Sequence, residues 1–220
     1  VEPPLWKTCW AYGLYLAALM GSVFSYTRYR LRAEERKLRK IAEYNRILEE
    51  NVQARTLELQ KANEKLKYLS QHDSLTGLYN RRGFHGAQER FSNPEYAPVS
   101  IIVCDLNGLK LVNDMLGHQY GDALIAAAGK VVESAFRTND MVARIGGDEF
   151  AVLLPSCGEG TLARACARLR EAIDKYNQEN GQFYLSMSIG TAVSSNESVN
   201  MKDLFIAADD AMYQEKFVCK

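Results

Sequence analysis

Three carboxylates stand where short apolar stretches end. Asp105 follows the run from Val99 to Cys104, and Asp148 and Glu149 follow the pair Gly146-Gly147. The run at 99–104 is apolar and β-branched and reads as a buried strand. Met141–Ile145 and Glu149–Leu154 read as two strands joined across the glycine pair, a strong hairpin signal. If the hairpin lies beside the first strand, the three acids meet at one end of a sheet. Clustered acids repel unless a hard cation joins them, and Mg²⁺ is held in this way by carboxylates together with substrate phosphates. Two such ions would polarise an α-phosphate and activate an attacking hydroxyl. The plainer alternative makes Asp105 a helix cap and Asp148 a turn residue.

The residues between these acids supply what a nucleotide needs. Gly108 allows close approach of the backbone, and the amides that open a helix at Leu109 would cradle phosphates at its positive end. Lys110 adds a cation there. Asn113 and Asp122 are the right types for a guanine edge, since a carboxylate accepts from its two N–H donors. Singly, each is an ordinary helix-surface residue; only together do they point to a base.

These groups need a mixed α/β domain to position them. Asp73–Asn80 is turn-rich, and Asn80 is placed to cap a helix from Arg81. Helices are expected from Leu109 to near Gly117, over Gln119–Ala135, Gly160–Tyr176 and Met201–Lys216, with a further strand over Phe183–Val193. The order β-α-α-β-β-α-β-α suggests an open sheet with helices packed on one side.

Two other segments precede that domain. Thr8–Thr27 carries no charge and is mostly apolar or aromatic, with Trp6, Trp10 and Tyr12 at one end and Tyr26 and Tyr29 at the other. About 20 such residues suit a membrane helix flanked by aromatic belts. The arginines that follow, from Arg28 to Arg39, place that end in the cytoplasm by the positive-inside rule. From Leu31 to Leu69 a heptad pattern follows: Leu31, Leu38, Val52, Leu59 and Leu66 at a, and Ile41, Leu48, Ala62 and Leu69 at d. Asn45 sits at an a position, as in two-stranded parallel pairings, while Glu34 and Arg55 weaken the seam at d. A parallel homodimer is expected.

The 27 basic and 27 acidic residues of the 220-residue chain cancel, so no general charge favours nucleic acid. Five scattered cysteines without a CxxC pair argue against a disulfide framework or a structural zinc site. The chain begins at Val1 rather than Met, which leads us to expect an upstream region.

Four motifs stand in order. They are Asp73-Ser-Leu-Thr-Gly-Leu-Tyr-Asn-Arg-Arg82, Asp105-Leu-Asn-Gly-Leu-Lys-Leu-Val-Asn-Asp114, Gly117-His-Gln-Tyr-Gly-Asp122 and Arg144-Ile-Gly-Gly-Asp-Glu-Phe150. In type, order and spacing the chain after Ser70 resembles the GGDEF family of diguanylate cyclases. The resemblance implies an α/β (α+β), palm-like fold with a mostly antiparallel central sheet and flanking helices. It implies condensation of two GTP into cyclic di-GMP. Asp105, Asp148 and the carbonyl of Leu106 would hold Mg²⁺ or Mn²⁺, two per active site. Glu149 would be a further ligand or assist deprotonation of the attacking 3′-hydroxyl. Asn113 and Asp122 would recognise guanine; Gly108, Leu109, Lys110, Gly146, Gly147 and Lys216 would meet the nucleotide. Asp122, in place of the small residue of relatives making mixed purine products, implies strict use of GTP. Each domain would hold one GTP, so two domains must face each other.

Arg137-Thr-Asn-Asp140 matches the family's RxxD motif, which binds the product as an inhibitor, with Arg168 falling where a second domain's arginine completes that site. The chain also departs from the family. Glu215 replaces an alanine, Cys219 and Lys220 stand for the closing glycine and arginine, and the last strand is lacking. That departure raises an alternative: a catalytically silent scaffold that binds GTP or cyclic di-GMP. Residues 3–12 resemble the exit from a periplasmic sensor. The expected order is an extracytoplasmic end at 1–7, a membrane helix at 8–30, a coiled coil at 31–70 and the catalytic domain at 71–220, anchored in a bacterial inner membrane.

Overall fold

The computed structural model describes residues 9–179, 183–194 and 199–218. The chain divides into two compact units, Val1–Asn63 and Glu64–Lys220. Helix α1, Cys9–Gln71, accounts for all described structure in the first. Between Leu31 and Leu69 it contains neither Pro nor Gly, so nothing interrupts its backbone ladder. Its a and d side chains are exposed, among them Leu38 at 65% and Leu59 at 69%.

The expected membrane helix at 8–30 is corrected here. Among the described residues no helix is long and apolar enough to cross a membrane. The charge-free stretch interleaves Leu, Ala and Met with Tyr12, Gly13, Tyr15, Gly21, Ser22, Ser25 and Tyr26, and these polar or weakly apolar residues dilute it. Orientation by the positive-inside rule and membrane anchoring lose their basis. The link to a periplasmic sensor loses its support with them, and residues 1–8 lie outside the described residues.

The second unit is an α+β domain. Its elements are α2 (Arg81–Phe91), β1 (Ser100–Leu106), α3 (Leu109–Leu116), α4 (His118–Ser134), β2 (Met141–Arg144), β3 (Glu149–Leu154), α5 (Glu159–Glu179), β4 (Met187–Val193) and α6 (Met201–Val218). The sheet runs β2-β3-β1-β4, and each neighbouring pair is antiparallel. Every residue of β1 is buried. A strand without apolar-polar alternation must be covered on both faces, and this one is. Ile102, Cys104 and Leu106 pack towards Leu124, Ala128 and Val132 of α4 and Leu169 of α5. Ile101 and Val103 share a second core with Phe84 and Phe91 of α2 and Leu204, Ala208 and Met212 of α6. The helices therefore lie on both faces, not on one side as the element order suggested.

Two of the boundaries that differ do so for local reasons. Strand β1 continues through Asp105 and Leu106, because β3 pairs with it as far as Asp105 and β4 as far as Leu106. Strand β4 begins at Met187 rather than Phe183. The side chain of Asn177 accepts from the Leu185 amide at 2.7 Å and donates to its carbonyl at 2.8 Å, which takes both backbone groups out of any ladder. Helix α2 starts as expected, with the Gly83 amide donating to the Asn80 side chain at 3.0 Å.

Candidate active site

Antiparallel pairing of β1 and β3 sets Asp105 opposite Glu149, with the Leu106 amide donating to the Asp148 carbonyl at 2.9 Å. The acids thus meet at one end of two central strands. The hairpin closes tightly, with the Ile145 and Gly146 amides both directed at the Glu149 carbonyl, at 2.9 and 3.3 Å.

Two residues that sequence reasoning gave no role hold that hairpin in place. Arg144 donates to the Gly147 carbonyl through Nε at 3.2 Å and Nη2 at 2.8 Å. Its Nη1 reaches both carboxylate oxygens of Asp73, at 3.1 and 3.2 Å. The Arg144 amide also donates to the Tyr79 carbonyl at 2.8 Å, so the segment 73–80 is laced to the edge of β2. The available signal was position: one charge two residues before the glycine pair, and an acid opening a turn-rich motif.

Burial alone would raise the Asp73 carboxyl, but bonds from the Thr76 hydroxyl and amide and from Arg144 outweigh it and hold it below the usual range. A lowered carboxyl adds stability above its unfolded value, about 3.9, and loses it as pH falls through the folded value. Replacing Asp73 by Asn is therefore expected to cost about 1–2 kcal/mol near neutral pH. The gap between variant and wild-type urea midpoints should shrink steadily below about pH 4. A gap that stays constant down to pH 3 would contradict this account.

The electrostatics of the centre are those of crowded acids. Glu149 is pushed up by burial, then by Asp148, Asp209 and Asp105, with Arg81 opposing. Asp209 on α6 was not singled out from the sequence; only the packing of α6 brings it to the other three. Asp105 is buried, and Lys216 donates to its Oδ1 at 2.6 Å. Lys216, expected on phosphates, is thus found on a carboxylate.

The remaining predicted residues sit on neighbouring elements. Gly108 precedes α3 with φ +78°, a conformation glycine adopts without strain, and so opens a helix end only two residues beyond β1. Leu109 is half-buried, and Lys110 is exposed on α3. Asn113 packs against Gly121, while Asp122 is exposed on α4, one residue beyond Gly121. Apart from the others, Arg137 and Asp140 close a turn before β2. The Arg137 amide donates to the Asp140 carboxylate at 2.8 Å, and the Asp140 amide to the Arg137 carbonyl at 2.9 Å. Arg168 of α5 donates to the Ala135 carbonyl of that same connection at 3.1 Å. Cys219 and Lys220 lie outside the described residues.

Hard oxygen donors of this kind suit a divalent cation shared with phosphates. Among the described residues, however, no three acidic, His or Cys side chains are arranged to hold a metal by themselves. The chemistry fits; the set is one that substrate oxygens would have to complete.

The family model for the GGDEF domain of diguanylate cyclases matches residues 70–217. The chain is 34% identical over 163 residues to the diguanylate cyclase DgcM of Escherichia coli, covering 72% of this chain and 39% of that protein. It is 32% identical over 178 residues to MucR of Pseudomonas aeruginosa, a bifunctional diguanylate cyclase/cyclic di-GMP phosphodiesterase, covering 77% of this chain and 26% of that protein. The chain thus spans little more than a third of the length of the first curated relatives it matches, 34% for DgcT and 39% for DgcM. Among solved structures, the coiled coil and GGDEF domain of DgcB from Caulobacter crescentus, in complex with c-di-GMP, superposes with a TM-score of 0.67. That likeness, at 24% identity over 76% of this chain and 91% of that one, is one of fold. The GGDEF domain of TpbB (YfiN) from Pseudomonas aeruginosa gives a TM-score of 0.58 at 32% identity, covering 66% and 88%.

Proposed function

This chain belongs to the GGDEF family of diguanylate cyclases, and from that premise we propose that it condenses two GTP molecules into cyclic di-GMP and two pyrophosphates. The observation that carries this reading is the register of β1 and β3. It puts Asp105 opposite Glu149 and ties the Asp148 backbone to Leu106.

In this reading Asp105, Asp148 and the Leu106 carbonyl hold divalent cations, Mg²⁺ or Mn²⁺ and two per site, with Glu149 beside them. When bound, such ions withdraw charge from the α-phosphate and lower the pKa of the attacking hydroxyl. The chain's own groups do the rest. The amides at Gly108 and Leu109 and the Lys110 and Lys216 ammoniums bind phosphates. Gly146 and Gly147 let the backbone approach them. Asn113 and Asp122 orient guanine. Glu149, pushed up by burial and then by its acidic neighbours, accepts the 3′-hydroxyl proton as that oxygen bonds to the α-phosphorus and pyrophosphate leaves. Arg137, Asp140 and Arg168 form the site where product inhibits.

One domain holds one GTP, so two must meet. The exposed apolar a and d positions of α1, from Leu31 to Leu69, suit a parallel coiled coil that pairs them. In this organisation residues 31–70 are the pairing stalk and 71–220 the catalytic domain.

The test is to incubate the chain with GTP and Mg²⁺ and quantify cyclic di-GMP. Product formation is expected. Binding of GTP or cyclic di-GMP without turnover would replace this reading with a silent regulatory scaffold.

A further inference from the structure

The end of α6 is fastened to the sheet in a way that commits Lys216 to Asp105. Glu215 accepts from the Ile189 amide at 3.0 Å and pairs with Arg170 of α5 at 3.0 Å. Ile189 lies opposite Cys104, the residue just before Asp105, and β4 is an edge strand of the sheet. Glu215 therefore anchors the helix to the outer edge of β4. Nearby, Gly190 lets the α6 backbone approach β4 so closely that a Cβ would overlap the Ala208 carbonyl and the Met212 amide. The next side chain, Lys216, is delivered to Asp105 from a rigid element.

That contact lies where a cation would have to bind. Lys216 Nζ is 2.6 Å from Asp105 Oδ1, and the two side chains are 36% and 8% exposed. A carboxylate so little exposed needs a positive partner. An ammonium and a divalent ion competing for one carboxylate oxygen repel each other, so each weakens the other's hold.

We propose that Lys216 is the resting counter-ion of Asp105 and keeps a divalent ion alone from binding well. Nucleotide phosphates draw Lys216 onto themselves and free Asp105, so metal and nucleotide enter together. Lysine suits both states, because its compact point charge on a flexible stem pairs with a carboxylate or a phosphate alike. The substitution of Glu215 for the family's alanine gains a role here, as the tether that keeps Lys216 in reach. The inference rests on reading this centre as one that binds a metal-nucleotide pair.

The test titrates Mn²⁺ into the nucleotide-free chain and follows free Mn²⁺ by electron paramagnetic resonance. Lys216→Met is expected to bind Mn²⁺ roughly tenfold more tightly than wild type, while Lys216→Arg stays close to wild type. In wild type, a non-hydrolysable GTP analogue should tighten Mn²⁺ binding, and by more than it does in Lys216→Met. Equal Mn²⁺ affinity in wild type and a folded Lys216→Met variant would overturn the proposal. So would a wild-type affinity that the analogue leaves unchanged, a result that needs no variant. Cyclic di-GMP formation is scored separately. A chain that makes no product but shows the Lys216 effect keeps this inference and loses the catalytic reading; product formation with equal Mn²⁺ affinities does the reverse.

Discussion

Asp148→Ala is expected to lower cyclic di-GMP formation by roughly a thousandfold while leaving the fold intact. The two halves of this expectation have separate causes. The part of Asp148 that the sheet uses is its carbonyl, which accepts from the Leu106 amide at 2.9 Å, and alanine keeps that bond. What alanine removes is a carboxylate of the acidic centre. Asp148 is also the first of the neighbouring acids that, after burial, push Glu149 up, so its loss relieves repulsion instead of opening a hole in the core. The melting temperature should therefore stay level or rise slightly. Turnover of GTP and thermal melting on the same preparation check both halves. Retained turnover would remove Asp148 from the reaction; lost turnover with a collapsed melting temperature would show that the side chain is structural.

The second large effect is on stability. Gly190→Ala is expected to cost about 3 kcal/mol or more, read as a fall in the urea midpoint. A Cβ at Gly190 would overlap the Ala208 carbonyl and the Met212 amide, both backbone groups of α6 that no side-chain rotation can move aside. To make room, α6 must lift from β4 and loosen the core at Leu204, Ala208 and Met212. Gly86→Ala is the control. Gly86 lies within α2 with open space around its Cβ position, so alanine there should be neutral or stabilising by up to about 1 kcal/mol. Equal midpoints for the two variants would show that α6 does not sit as tightly on β4 as described.

Much of this domain is legible one residue at a time. The Asn80 cap, the hairpin around Gly146-Gly147 and the helices after Gly108 and Gly117 follow from local preferences, and local preferences act on residues near in sequence. The run at Val99–Cys104 was legible as a buried strand, although the order of elements suggested helices on one side and they cover both faces. Apolar content was less reliable as a guide. Thr8–Thr27 has no charge, yet it interleaves tyrosines, glycines and serines, and among the described residues no helix is long and apolar enough to cross a membrane.

The sequence by itself determined the kind of chemistry and its parts list: acids beside strand ends, a glycine-opened helix, polar residues of the types that suit a guanine edge, and a long helix with a heptad pattern. Such features depend on residue type and short spacing, which a chain carries before it folds. Only the tertiary structure decided which charges meet. Arg144 with Asp73, Lys216 with Asp105, Asp209 beside Glu149, and Glu215 on the edge of β4 are pairs separated by long stretches of chain. No local rule links them. Their contact is set by how α6 and the 73–80 segment pack on the sheet, and electrostatic forces between charged groups depend on distance in space, not along the chain.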